Sequence, residues 1–170
     1  MLRRCLLPCA AGFLALAAGC TTLEQRLPPG TTGDQVQASM GTPSVACPLP
    51  GGGQRLVWSG QPFRQASWAT DVAPDGRSSG VQQILTDANF NRLREGSWSA
   101  EQVRCTFGPP AIIDAVGAPG HPQRVWSYAY KQDTVWNSLM FVYFDDAGYV
   151  ARVHPGPDPA YDTDSRFGWM

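Results

Sequence analysis

The chain reads as an α+β protein built of two tandem repeats, each of two short helices followed by about three antiparallel strands, with the helices packed on one face of the sheet. Three observations lead there. Residues 32–43 (TGDQVQASMGTP) lie without a gap on residues 99–110 (SAEQVRCTFGPP), with Gln35/Gln102, Val36/Val103, Gly41/Gly108 and Pro43/Pro110 identical, and self-similarity at a fixed offset marks a repeated structural unit. Both segments open on a hydroxyl residue with Gln three places on, a capping-box pattern, and both close on Gly and Pro. Both are followed by stretches of apolar alternation separated by turn residues. The 170 residues give room for one domain, or two small ones sharing a core. The 43% hydrophobic and 16% charged content is that of a folded chain. Thirteen basic residues balance 14 acidic ones with no Lys/Arg cluster, so nothing grips phosphates and nucleic acid is not an expected partner.

Residues 1–19 have the layout of an export signal. Arg3 and Arg4 form a positive start, the stretch from Cys5 to Leu16 is mostly apolar, and small residues lead into Cys20. The apolar run, about fifteen residues, falls short of the roughly 20 a spanning helix needs. Leu16-Ala17-Ala18-Gly19-Cys20 resembles a bacterial lipobox, with Leu one place earlier than usual. That resemblance implies a thioether-linked lipid on Cys20, cleavage before it and acylation of the new amino terminus. The other reading is an ordinary secretory signal with a chance cysteine. Thr21, where an Asp would favour inner-membrane retention in this kind of lipoprotein, points to the outer membrane. Loss of Arg3 and Arg4 leaves the mature chain with a net charge of −3. Acyl chains, not basic residues, would then hold it to the membrane.

The first repeat covers residues 20–84. Residues 21–26 (TTLEQR) are either a short helix or a tether, ended by Pro28-Pro29-Gly30. Thr32 caps a helix with Val36 and Met40 on one face, and Gly41 suits a left-handed position after it. Residues 44–53 read as a loop, 54–59 (QRLVWS) as a strand with Leu56 and Trp58 on one side, and 63–72 as a second strand. Pro74-Asp75-Gly76 is a hairpin turn signal, and residues 77–85 carry a third strand with Val81 inward.

The second repeat covers residues 85–154. Thr86 caps a helix that turns Phe90 and Leu93 inward and ends at Glu95-Gly96. Ser99 caps the next, with Val103 and Phe107 as its stripe and Gly108-Pro109-Pro110 as its stop. After a loop, residues 124–130 (RVWSYAY) put Trp126, Tyr128 and Tyr130 on one face. Residues 139–145 (LMFVYFD) form the strongest strand, and Asp146-Ala147-Gly148 turns it into 149–153. Neither repeat alone buries much, so a common core is expected. Residues 155–170 lack periodicity and read as a flexible tail, with Phe167-Gly168-Trp169 as its one docking candidate. No series of ten-residue alternating segments marks a membrane barrel.

Three cysteines remain after cleavage, and Cys20 would be acylated. About 200° around the helix from both Val103 and Phe107, Cys105 points away from its own repeat's core. Either Cys47 and Cys105 are bridged, clamping the repeats together, or they are two unpaired, partly buried thiols. His121 and His154 have no metal-ligand spacing and read as surface loop residues. The mature chain has no nucleophile elbow and no phosphate loop, so no catalytic residue, metal, cofactor or small-molecule substrate is assigned. The aromatics Trp58, Trp126, Tyr128 and Tyr143 are either core beneath the helices or a protein-binding face. Leu139, Phe141 and Tyr143 oppose Met140, Val142 and Phe144, so both faces of that strand are apolar. One set packs under helices and the other must be covered.

Helix–helix–strand order, the capped helix with its G-x-P stop, and the VWSY and FDDAG segments are similar to the small outer-membrane lipoproteins of the BamE (SmpA/OmlA) type. Glu101, Val103, Phe107-Gly108-Pro109-Pro110, Trp126-Ser127-Tyr128 and Phe144-Asp145-Asp146-Ala147-Gly148 carry the resemblance in the second repeat. Asp34, Val36, Met40-Gly41-Thr42-Pro43 and Trp58 carry it in the first. A typical member has one such unit, whereas this chain has two. The tandem also resembles the fold of secreted β-lactamase-inhibitor proteins, whose sheet grips an enzyme. These resemblances imply a non-enzymatic, lipid-anchored outer-membrane protein facing the periplasm, with a protein partner in the envelope. The other implied role is a periplasmic or secreted inhibitor that blocks a partner enzyme with its sheet.

Overall fold

The computed structural model describes residues 21–118 and 120–161. The signal segment, Cys20 and Phe167-Gly168-Trp169 lie outside the described residues. The first half runs α1 (Leu23–Arg26), α2 (Gly33–Met40), β1 (Val45–Pro48), β2 (Gln54–Ser59), β3 (Ser67–Val72) and β4 (Gln82–Gln83). The second runs α3 (Asp87–Asn91), a 3-10 turn (Arg92–Arg94), α4 (Ala100–Phe107), β5 (Ile112–Val116), β6 (Gln123–Gln132), β7 (Trp136–Phe144) and β8 (Val150–Pro157). The protein is α+β, with a few short helices and two separate four-stranded antiparallel sheets, ordered β1-β2-β3-β4 and β5-β6-β7-β8. No described helix is long and apolar enough to cross a membrane.

Helices α2 and α4 form where the local chemistry directs. In each, the hydroxyl of Thr32 or Ser99 accepts from the third helical N–H while the Gln35 or Gln102 side chain accepts from the cap N–H. Two of the four orphan donors of a helix start are thereby met. The closing glycines, Gly41 (φ 80°, ψ −164°) and Gly108 (φ 82°, ψ −173°), are not in the left-handed helical region. They lie in the mirror-extended region, which only glycine enters at low cost, and so turn each helix directly into extended chain.

Four strands per sheet, not three, follow from two segments that read as loops. Residues 45–48 pair with β2 and residues 112–116 pair with β6. The expected third strand of the first half shrinks to Gln82–Gln83, and the second begins only at Ser67. The expected tail also starts later than its composition suggests: β8 runs through Pro155 to Pro157, pairing with Ser138 to Phe144 of β7, and Asp158 is buried. An outermost strand needs only one row of hydrogen bonds, so prolines are tolerated there.

Layering follows from strand alternation. One face of the first sheet, with Leu56, Trp58 and Val72, packs on Leu27, Val36 and Val81. Its other face, with Val57 and Ala69, joins Phe90, Leu93, Val103 and Phe107 and the Trp126, Tyr128, Met140 and Val142 face of the second sheet in one cluster. Helices α3 and α4 are thus enclosed between the sheets, and the layers run α1/α2, first sheet, α3/α4, second sheet. Helices on one face of each sheet were expected; the first sheet has them on both. The reason is geometric, since α4 has one face for Tyr128 and another for Val57.

The seam between halves is also polar and covalent. Cys47 of β1 and Cys105 of α4 form a disulfide, Cα to Cα 5.9 Å, across 58 residues. Arg55 bonds Asp71 at 2.8 Å and reaches the Thr106 carbonyl at 3.5 Å. A cation there complements the negative end of α4.

Candidate interaction surface

Three of the four aromatics singled out in the sequence are core and present no docking face. Trp58 packs against Leu56 and Val36, and its indole N–H donates to the Gly41 carbonyl at 2.9 Å. Tyr128 is fully buried and its hydroxyl donates to the Gly108 carbonyl at 3.0 Å. Trp126 sits edge-on to Phe144 at 4.8 Å, with the Arg124 guanidinium 5.8 Å from its ring. The physical cause is shared: each points toward the helix that belongs to its own sheet. Beneath α4, Phe90 stacks on Phe107 at 4.7 Å and meets Tyr130 edge-on at 5.1 Å.

The pKa directions follow from that enclosure. Burial pushes the Tyr128 hydroxyl far up, against the smaller opposing pull of Arg104. Burial and then the Asp87 carboxylate, which accepts its proton at 3.0 Å, push Tyr130 up as well. Both side chains stay neutral donors.

Tyr143 is different. It is also buried, 8% exposed, but on the outer face of the second sheet with Phe141 and Leu139, turned away from the helices. The Arg152 guanidinium stacks 3.8 Å from its ring centre, and His154 lies 5.3 Å away on the neighbouring strand. His154 is therefore half-buried in β8, not the surface loop residue its sequence context suggests. In the neutral ring, Nδ1–H faces the Pro155 carbonyl at 3.2 Å, which leaves Nε2 to accept from the Tyr143 hydroxyl at 3.2 Å. Phe141, 5.4 Å from His154, also sits over Gly156, where an added Cβ would meet its ring at 2.8 Å. The missing side chain at Gly156 is what leaves room for the ring.

Beside this face runs β5. All five of its residues are exposed, Ile113 by 65% and Ile112 by 49%. Ile112 shares a cross-strand row with Ser127, Phe141 and His154, so it lies on the outer face at the sheet's edge, with the buried Ser127 between it and Phe141. The sequence carried a signal for this strand: Ile-Ile-Asp-Ala-Val between Pro110 and Gly117 is rich in β-branched residues. Gln61 was invisible to that reading. Its amide clamps Ala129 of β6 from 68 residues away, accepting from the N–H at 3.0 Å and donating to the carbonyl at 2.7 Å.

Among the described residues no three His, Cys, Asp or Glu side chains gather to hold a metal ion. The chemistry this surface offers is apolar contact, a stacked guanidinium and an edge of backbone hydrogen-bonding groups.

No family model, curated protein or solved structure matches this chain.

Proposed function

We propose that this chain is a non-enzymatic lipoprotein, anchored through Cys20 to the bacterial outer membrane, that faces the periplasm and acts by binding protein in envelope assembly. In this reading it is a tandem of BamE-like units. The single observation that supports it most is the doubled arrangement: two helices opened by the same capping box and closed by the same mirror-extended glycine, each followed by four antiparallel strands. The Cys47–Cys105 disulfide is compatible with an oxidising compartment such as the periplasm. The exposed strand β5, which leaves Ile112, Ile113 and Val116 open at the sheet's edge, fits binding of protein.

Metabolic labelling with a tagged palmitate tests the anchor. The native chain takes up label and sediments with outer membranes, whereas Cys20→Ser loses both properties; label retained by Cys20→Ser overturns the anchor. Crosslinking in the intact envelope with mass spectrometry tests the role. Recovery of barrel-assembly components is the expected outcome. Recovery of a single soluble enzyme replaces this role with that of a periplasmic inhibitor, and absence of any specific partner overturns the interaction reading.

A further inference from the structure

The two sheets have four outer strands, and three of them are blunted. β1 has four residues, ends in Pro48 and is tied to α4 by the disulfide. β4 has two residues, and β8 carries Pro155 and Pro157. Shortness, proline and covering are the means by which sheets avoid pairing with other chains. β5, five residues long, has no proline and no cover among the described residues: Ile112, Ile113 and Val116 are β-branched, its one charge is Asp114, and it is exposed throughout.

Gln61 reveals which backbone groups β5 offers. Its amide bonds both the N–H and the C=O of Ala129, so Ala129 presents its backbone on the side of β6 away from β7. Hydrogen-bonding direction alternates along a strand. Ser127 and Val125 therefore face β5 too, where they pair with Ile112 and Asp114. Ile113 and Ala115 must turn their N–H and C=O groups outward, with no strand beyond them among the described residues. The Ala115 N–H is met by the neighbouring Asp114 carboxylate at 2.7 Å, an acceptor that a pairing chain can displace.

We propose that β5 takes up an extended strand from a protein partner, which continues the second sheet by backbone pairing with Ile113 and Ala115 and sets a Lys or Arg against Asp114. Only an extended backbone matches an alternating row of donors and acceptors, and apolar neighbours opposite Ile112 and Val116 supply contact. A second copy of this chain fits less well. Antiparallel pairing of two β5 strands about their centres opposes Asp114 to Asp114, and like charges directly opposite are destabilising. This gives a shape to the partner proposed above, yet it does not depend on the lipid anchor.

The test uses the full chain in detergent micelles and fluorescence anisotropy of a labelled peptide of alternating valine and threonine with one central lysine. Saturable binding is expected, about tenfold weaker for a twin N-methylated along its pairing edge and for Ala115→Pro, which removes an outward donor but no bond to β6. Asp114→Lys should reverse the preference toward a peptide with central glutamate, a gain that misfolding cannot produce. Absence of saturable binding, or equal binding of the N-methylated twin, overturns the proposal. So does a dimer in sedimentation velocity that Ala115→Pro abolishes, which assigns the edge to a second copy. Loss of palmitate labelling with peptide binding intact would sink the anchor alone.

Discussion

Tyr128 and Tyr130 join the aromatic cluster to the hydrogen-bond framework at single atoms. Tyr128→Phe keeps the ring but leaves the buried Gly108 carbonyl without its donor. It should cost about 1–3 kcal/mol in urea unfolding, the range for an unsatisfied buried polar group. The raised pKa values of both hydroxyls also set a direction with pH. Above about pH 10 an unfolded chain releases these protons while the folded chain retains them, so stability falls as pH rises. Their contribution is whole below that pH and is lost as pH climbs toward the folded values. Urea midpoints at about pH 8 and about pH 10.5 should differ more for the native chain than for the Tyr128→Phe, Tyr130→Phe double variant. Single residues were unevenly legible in the sequence. The inward stripes, Val36 of α2 and Val103 with Phe107 of α4, could be read from local spacing. Gln61 and His154 could not, since what defines them are partners on other strands.

At the scale of elements, the two capped helices are alike in sequence and unlike in surroundings. An added Cβ at Gly41 meets nothing within 4 Å, whereas at Gly108 it meets Val57 at 3.1 Å. Gly41→Ala should therefore cost the backbone strain alone, about 1–3 kcal/mol. Gly108→Ala should cost visibly more in the same thermal melts, because the buried Val57 side chain of the first sheet must also give way by a few tenths of an ångström. Equal losses would show that this contact relaxes freely. The disulfide acts between the same two elements. Reduction, or the Cys47→Ser, Cys105→Ser pair, should lower stability by about 4 kcal/mol in the chain-entropy account, read as a shift in urea midpoint. Strands were less legible than helices. β6 announces itself through aromatic alternation and β7 through a continuous apolar run, whereas β1 is defined by the neighbour it pairs with and β5 offers only its β-branched residues. A four- or five-residue segment has too few side chains to fix its own conformation.

The whole molecule should unfold as one unit, because a single cluster runs from Val57 and Ala69 through α3 and α4 to Val142 and Val153. Tryptophan fluorescence and far-ultraviolet circular dichroism should give coincident urea transitions, and Val57→Ala in the first half should shift both. Two separated transitions would show that each half is stable without the other. By itself the sequence determined the local events: where α2 and α4 begin and end, where the chain turns at Gly76, and that it holds a two-part α+β order. Those follow from side chains acting within a few residues of themselves. Only the tertiary structure decided the stacking of the layers, the burial of Trp58, Trp126 and Tyr128, and the exposure of β5. These depend on which faces meet across more than 50 residues of chain, and no local pattern encodes which of two apolar faces finds the larger partner.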